Sequence, residues 1–290
     1  MGMSQEQPIV HILIPVYNRC AITLACLHQL QQLGVLDRYQ IVVVDDGSTD
    51  GTTAAIQTAY PTVKVLVGTG DLWWTGAMRL GMSNAWADRA AIVLWLNDDC
   101  WPEPGAIEAL VEFVHTHPKT IAAAACYSPS GNQPLPTGFR GRHRFAAHPG
   151  EVVVVEGTSG YCVAIPRSVM ATIGYPDADR FPQYGGDGMY LLAASRAGFT
   201  VCILGDAKVR LPGVTDTIYR FRDYLYQLPV PSWYRVFSSK KSPYHLPTRF
   251  HYHLTKYGSV GGLSLFLGQT VVWMVQWFIV FITFLGRRGQ

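Results

Sequence analysis

Residues 41–52 read IVVVDDGSTDGT. Four consecutive β-branched residues suit a strand covered on both faces, where no polar alternation is needed. The run stops at Asp45 and Asp46, and Ser48 or Asp50 stands where a cap would open a helix over 52–59. A buried strand that ends in acids and turns into a helix is the unit of a doubly wound α/β sheet. Similar units lie on either side. VHILIPV at 10–16 precedes helical spacing over 20–33, the run at 63–67 precedes a helix over 76–88, and AIVLWL at 91–96 precedes one over 104–115; a fifth apolar run covers 121–126. Alternation of this kind predicts a mostly parallel sheet with right-handed crossovers.

Ligands of such sheets bind beyond the carboxyl ends of the strands. Three of the first four runs end in polar residues: Pro15-Val16-Tyr17-Asn18-Arg19, Asp45-Asp46-Gly47-Ser48-Thr49-Asp50 and Asn97-Asp98-Asp99. The fold is therefore expected to gather Asp45, Asp46, Asp98 and Asp99 along one crevice. Four carboxylates repel one another unless a cation or hydrogen-bond donors compensate. Hard oxygen ligands with few protein contacts suit Mg²⁺ or Mn²⁺ bridging a diphosphate. Each Asp by itself reads equally as a turn or helix cap, but their recurrence at strand ends points to a shared site.

IPVYNR at 14–19, VVDDGSTDGT at 43–52 and LNDDC at 96–100 resemble glycosyltransferase family 2, over roughly residues 9–205. GTGDLWWTGAMRLG at 68–81 resembles the rhamnosyltransferase-like bacterial branch, with the Trp pair preceding the third helix. The resemblance implies an α/β GT-A (Rossmann-like) fold, and a nucleoside diphosphate sugar as donor. It implies that Pro15, Tyr17 and Asn18 line the base and ribose pocket, that Asp46 hydrogen-bonds the base or ribose, that Asp98 meets ribose or metal, and that Asp99 binds a divalent metal. Asn97 departs from the family's strict acidic motif, and the family's downstream metal-ligand His is missing around residues 210–215. The catalytic base is implied to be Asp187, ahead of a helix over 188–197; Gly186 replaces the Glu that usually precedes it. A carboxylate at a helix start is held by the turn's N–H groups and can take a hydroxyl proton; as a bare residue it reads as a cap. The product would be an inverted glycoside in a surface polysaccharide or glycolipid, on a saccharide or lipid-linked acceptor.

Other features read two ways. Trp73, Trp74 and Trp101 are either a sugar-stacking platform for the acceptor or side chains packed under a loop. Arg140, Arg142, His143 and Arg144 lie in a Pro- and Gly-rich stretch over 128–149 that reads as loop, gripping a phosphate-bearing acceptor or simply solvated. Gly157-Thr158-Ser159-Gly160 either places small residues near the acceptor hydroxyl or makes a turn. Strands are expected over 151–155, 160–165 and 200–204, and a helix over 167–173.

The chain has 290 residues, 49% hydrophobic and 15% charged, which excludes disorder. Its net charge of +3 is unevenly spread: seven basic residues and no acid follow Asp223, so the remainder is net negative. An acidic body with a basic, apolar tail argues against a nucleic-acid binder and for an anionic membrane surface as partner. Residues 1–228 are expected to form the glycosyltransferase domain, 229–256 a basic linker, and 257–290 a hydrophobic membrane-associated helix. The stretch 263–285 spans a bilayer at about 1.5 Å per residue. Gln269, Gln276 and Thr283 draw a polar stripe along it, which suits a helix in the interface, a span against a partner helix, or a helix folded onto the domain. Six cysteines without a CxxC pair and an N-terminus unlike a signal peptide place the body at the cytoplasmic face. Two rival readings are a nucleotidyltransferase, which would need a Gly- and Arg-rich loop that PVYNRC lacks, and a catalytically decayed membrane-bound partner protein.

Overall fold

The computed structural model describes residues 8–129, 131–212 and 220–288; of residues 286–288 it describes the backbone alone. The buried runs become strands β1 (Val10–Val16), β2 (Gln40–Asp45), β3 (Lys64–Val67), β4 (Ile92–Leu96), β5 (Trp101–Pro102), β6 (Thr120–Tyr127), β7 (Gly138–Arg140), β8 (His143–Phe145), β9 (Val152–Val155), β10 (Cys162–Pro166) and β11 (Thr200–Arg210). The helices are α1 (Cys20–Gln32), α2 (Val35–Arg38), α3 (Thr52–Ala59), α4 (Trp73–Ala87), α5 (Ala106–Thr116), α6 (Arg167–Ile173), α7 (Gly186–Arg196), α8 (Phe221–Gln227), α9 (Leu246–Tyr257) and α10 (Ser259–Arg288).

The main sheet runs β3-β2-β1-β4-β10-β6-β11-β5, with β9 also on β11. β3, β2, β1 and β4 are parallel, as the strand–helix alternation demands. β10 is antiparallel to both β4 and β6 and wedges between them, so strands four and six of the chain are not neighbours. Alternate side chains of each strand feed two cores. Ile12, Ile14, Ile41 and Val43 pack with Leu27 and Leu30 of α1, Ile56 of α3 and Leu110 of α5. Leu13, Val42, Val44 and Trp95 pack with Met78 and Met82 of α4 and Leu191 of α7. Burial on both faces is the physical reason the runs are apolar throughout.

Four expectations change. The Trp pair does not precede the third helix but forms its first turn, because α4 opens at Trp73. Residues 128–149 contain a two-stranded hairpin, β7–β8, whose strand pair is fixed by Phe139 opposite Arg144. α7 opens at Gly186, so Asp187 lies inside its first turn rather than ahead of it. The segment 229–256 is not an extended linker: it holds a π-helical turn, Tyr234–Ser238, and the twelve-residue α9. Its aromatic residues drive this, since Val236 and Phe237 are fully buried with Phe221, Leu225 and Trp273. The rings of Phe221 and Tyr244 meet edge-on at 4.5 Å, those of Tyr244 and Trp273 at 5.1 Å, and Trp277 Nε1 donates to the Pro231 carbonyl at 2.6 Å.

The basic tail is engaged partly by the body and partly by its own aromatic residues. Lys240 pairs with Asp71 at 3.0 Å. Arg249 lies among the rings of Tyr244, Tyr252 and Trp273, and Lys256 sits 3.9 Å from the Phe139 ring centroid. The side chains of Arg287 and Arg288 lie outside the described residues. α10 packs one side on this layer, burying Trp273 and Val280, and Gln269 Oε1 bonds His253 Nε2 at 2.9 Å. Its other side, with Leu267, Val271, Val275, Phe278 and Ile282, is exposed. All six cysteines are free thiols. Replacing Phe237 by Ala should remove the centre of the tail cluster and cost about 3–5 kcal/mol, measured as a loss of stability in denaturant titration of the full chain.

Candidate active site

The carboxyl ends of β1 and β2 open into a crevice of about 370 Å³ lined by Pro15, Tyr17, Arg19, Asp46, Trp73 and Trp74, together with Gln183, Tyr184 and Lys241. Of the four acids expected along one crevice, Asp46 alone is in its lining. Asp45 is buried and wholly occupied: one oxygen accepts from Ser48 N at 2.9 Å and the other from the Thr53 hydroxyl, stapling the turn to α3. Asp46 faces the crevice and accepts from Gly70 N at 2.8 Å through Oδ1 and from Trp73 N at 2.9 Å through Oδ2. Asp98 and Asp99 turn to Arg19, whose Nε lies 3.3 Å from Asp98 and whose Nη2 lies 2.8 Å from Asp99. The compensation expected from a metal is thus supplied in part by a guanidinium and by backbone donors. Burial pushes Asp98 up to about 6 against the opposing pull of Arg19, while Asp99 stays part-exposed.

The start of α4 organises the crevice. The first N–H groups of a helix have no partner within it. Here Trp73 N reaches Asp46, Trp74 N donates to Gln183 Oε1 at 3.2 Å, and Thr75 N to the Pro182 carbonyl at 3.0 Å. The helix end thereby ties β2 to the segment before α7. Trp73 holds φ at +58°, a costly value for a bulky residue, and its indole N–H donates to Asp71 at 2.6 Å. Behind it, Trp74 stands edge-on to Trp95 at 5.3 Å and donates to Asn97 Oδ1 at 2.8 Å. Both Trp residues therefore line the crevice; Trp101 lies apart on β5.

Asn18 is used within the loops rather than as crevice lining. At φ +51° its carboxamide oxygen accepts from Thr49 N at 2.7 Å, and its own N–H donates to Ser48 Oγ, also at 2.7 Å. Asp187 lies near the Trp74 ring. Its oxygens accept from Gly160 N and Gly188 N, both at 2.7 Å, so the 157–160 turn holds it. A Cβ on Gly160 would come 2.9 Å from both the Asp187 Cβ and the Trp74 ring, which leaves only glycine room there. Burial raises the Asp187 pKa, with the two backbone bonds and Arg144 opposing.

Arg140 and Arg142 lie away from the crevice, on the β7–β8 hairpin. Arg140 bonds the Val154 carbonyl and lies 4.9 Å from the Phe145 ring; Arg142 lies 5.9 Å from the ring of Tyr257. Arg19, Gln183, Tyr184 and Lys241 received no role from the sequence. Arg19 is legible in principle, being next to the strand end; the others come from segments more than a hundred residues away and carry no local signal. Of the 210–215 segment, residues 213–215 lie outside the described residues. Among the described residues no three His, Cys, Asp or Glu side chains form a metal-holding group.

A mixed sheet flanked by helices thus opens at the ends of its parallel strands into a crevice lined by an acid and aromatic rings. The family model for glycosyl transferase family 2 matches residues 11–169, and the chain belongs to that family. Glycosyltransferase AglE of Haloferax volcanii is 30% identical over 110 residues, 37% of this chain and 35% of AglE, so the match spans about a third of that relative. Among solved structures, GalNAc-T7 with UDP, GalNAc and Mn²⁺ superposes with a TM-score of 0.60 at 14% identity, over 92% of this chain and 55% of that one. The mannosyltransferase PcManGT of Pyrobaculum calidifontis with GDP-Man and Mn²⁺ gives 0.56 at 14% identity, over 96% and 88%. S. aureus TarS 1–349 gives 0.57 at 12% identity, over 97% and 92%. The GT-A fold is common to these chains.

An Asp46→Asn change leaves one oxygen to accept where two now do. It should destabilise the fold by roughly 1–2 kcal/mol and speed amide exchange at Gly70 and Trp73, read by hydrogen-exchange measurements.

Proposed function

We propose that the chain is an inverting glycosyltransferase that uses a nucleoside diphosphate sugar and acts at the cytoplasmic face of a membrane, building a surface polysaccharide or glycolipid. The observation that carries this reading is the placement of two chemistries near Trp74. One is a crevice with an exposed Tyr17 ring for a base, Asp46 for base or ribose, and Arg19 with Lys241 for phosphate. The other is Asp187, close to the Trp74 ring, a carboxylate without a close ion pair among the described residues, oriented by two amides.

The step would be a single in-line displacement. The acceptor oxygen bonds the anomeric carbon, the bond from that carbon to the diphosphate oxygen breaks with its electron pair leaving on the diphosphate, and Asp187 takes the hydroxyl proton. The residues fit a divalent ion. Asp98 and Asp99 carry two negative charges against one on Arg19, and Asp99 is part-exposed, so the pair offers carboxylate oxygen while donor phosphates and water complete the shell. Mg²⁺ or Mn²⁺ there would neutralise charge on the leaving diphosphate. That the solved neighbours carry Mn²⁺ with UDP or GDP-Man supports the reading. α10 supports membrane attachment: Ser259–Leu285 is long and apolar enough to cross a bilayer, with one side left bare.

Thermal shift against a panel of nucleotide sugars, with and without Mn²⁺, should single out one donor, and Asp99→Ala should abolish the metal-dependent part. With that donor, Asp187→Asn should slow turnover by about 10²–10⁴-fold with donor affinity unchanged. Because the Asp187 pKa is raised and the base works deprotonated, the wild-type rate should climb with pH through a value above the ordinary carboxylate range. The Asn variant should lose that limb. Loss of donor binding by Asp187→Asn would refute the assignment.

A further inference from the structure

The strained residue of the crevice is held from a distant part of the chain. Trp73 lines the crevice with φ at +58°, a conformation that a bulky residue keeps only where its surroundings hold it there. Its backbone N–H is taken by Asp46 and its indole N–H by Asp71 Oδ1, the latter at 2.6 Å. Asp46 is buried just past the end of β2. Asp71 is not: it lies in the loop ahead of α4, with 70% of its side-chain surface open to solvent. An exposed carboxylate changes rotamer on a fast timescale unless a second contact fixes it, and the Trp73 ring would follow.

The second contact is Lys240, 169 residues along the chain. Its Nζ lies 3.0 Å from Asp71 Oδ1 and 3.1 Å from Oδ2, so both oxygens are engaged, and 5.7 Å from the centroid of the Trp73 ring itself. The lysine stands on a well-bonded base. Ser239 N donates to the Tyr234 carbonyl at 2.8 Å, Ser242 N to the Ser239 carbonyl at 2.9 Å, and the buried Ser242 hydroxyl to the Val236 carbonyl at 2.5 Å. The π-helical turn before it is anchored by Phe237, in the cluster that seats α10. Lys241 is in the crevice lining, whereas Lys240 lines a neighbouring hollow with Arg79 and Asp179, neither of which is ion-paired among the described residues. An ion pair this exposed contributes little to folding. Its effect is geometric: a wall fixed before a ligand arrives spares that ligand the cost of ordering it.

We propose that Lys240 is a positioning residue for donor binding: it fixes Asp71, Asp71 fixes the Trp73 indole, and the ring so held is the wall of the crevice on which the nucleotide of the donor rests. The proposal rests on the reading of the crevice as a nucleotide-sugar site.

The test uses the full chain in a non-ionic detergent, titrated calorimetrically with UDP, GDP and dTDP in the presence of Mn²⁺. For the nucleotide that wild type binds most tightly, Lys240→Met should weaken binding roughly two- to tenfold, the scale of ordering one large side chain, at an unchanged thermal midpoint. Lys240→Arg can still engage both oxygens and should bind as wild type does. Asp71→Ala should match Lys240→Met, and the double variant should be no worse than either, because both act through one ring. Lys64→Gln breaks a comparable exposed pair, with Asp88 at 2.9 Å, and should change nothing. In turnover with the corresponding nucleotide sugar, Lys240→Met should raise KM and leave kcat unchanged. A second readout needs no nucleotide. The indole ¹⁵N–¹H resonance of Trp73, identified by its loss in Trp73→Phe, should shift as Asp71 is protonated. Lys240, and after it Trp73, hold that carboxyl below its ordinary range, so in Lys240→Met the shift should begin at higher pH. Unchanged affinity in Lys240→Met, tighter binding in Asp71→Ala, an additive loss in the double variant, or a Trp73 resonance indifferent to Lys240→Met each overturns the proposal; the second and third would make Lys240 a direct phosphate contact. If none of the nucleotides binds, the nucleotide-sugar reading fails, and the Trp73 resonance still decides whether Lys240 positions the ring.

Discussion

The first turn of α4 exposes N–H groups that no residue of the helix can satisfy, and the way they are satisfied assembles the site. Trp73 N is taken by Asp46 at the end of β2, Trp74 N by Gln183, and Thr75 N by the Pro182 carbonyl. An orphaned buried donor costs as much as a lost hydrogen bond, so these three bonds bring the strand end, the α4 start and the segment ahead of α7 together. The donor crevice is the space they leave. The strained backbone of Trp73 is tolerated because its N–H and its indole N–H are both held by carboxylates, Asp46 and Asp71.

Charge is arranged by the same economy of partners. Asp45 closes its own turn, Asp46 holds a helix end, and Asp98 with Asp99 share Arg19. The crevice is lined by one of these carboxylates, Asp46, and by the Arg19 guanidinium rather than by four competing acids.

The C-terminal quarter belongs to this arrangement. Lys241 lines the crevice and Lys240 pairs with Asp71, which accepts from the Trp73 indole, so the segment after the sheet completes the crevice. α9 packs against α10, with His253 bonded to Gln269. α10 is held by an aromatic cluster on one side and left apolar on the other.

The β-branched and apolar runs, the helices between them and the acid-bearing strand ends were legible along the chain, because a strand buried on both faces leaves an unbroken local pattern. Asp46, Tyr17 and the Trp pair were found that way and do line the crevice. Tertiary structure alone decided that Asp45 is structural, that Arg19 joins Asp98 to Asp99, and that β10 wedges between β4 and β6. It alone turned the supposed linker into α9 and drew most of its described basic residues onto the body. These outcomes depend on partners brought together from distant parts of the chain, Asp71 with Lys240 and Asp46 with Trp73 among them. A hydrogen bond or a ring contact is chosen by proximity in space, and a short stretch of sequence records only what each residue is able to offer.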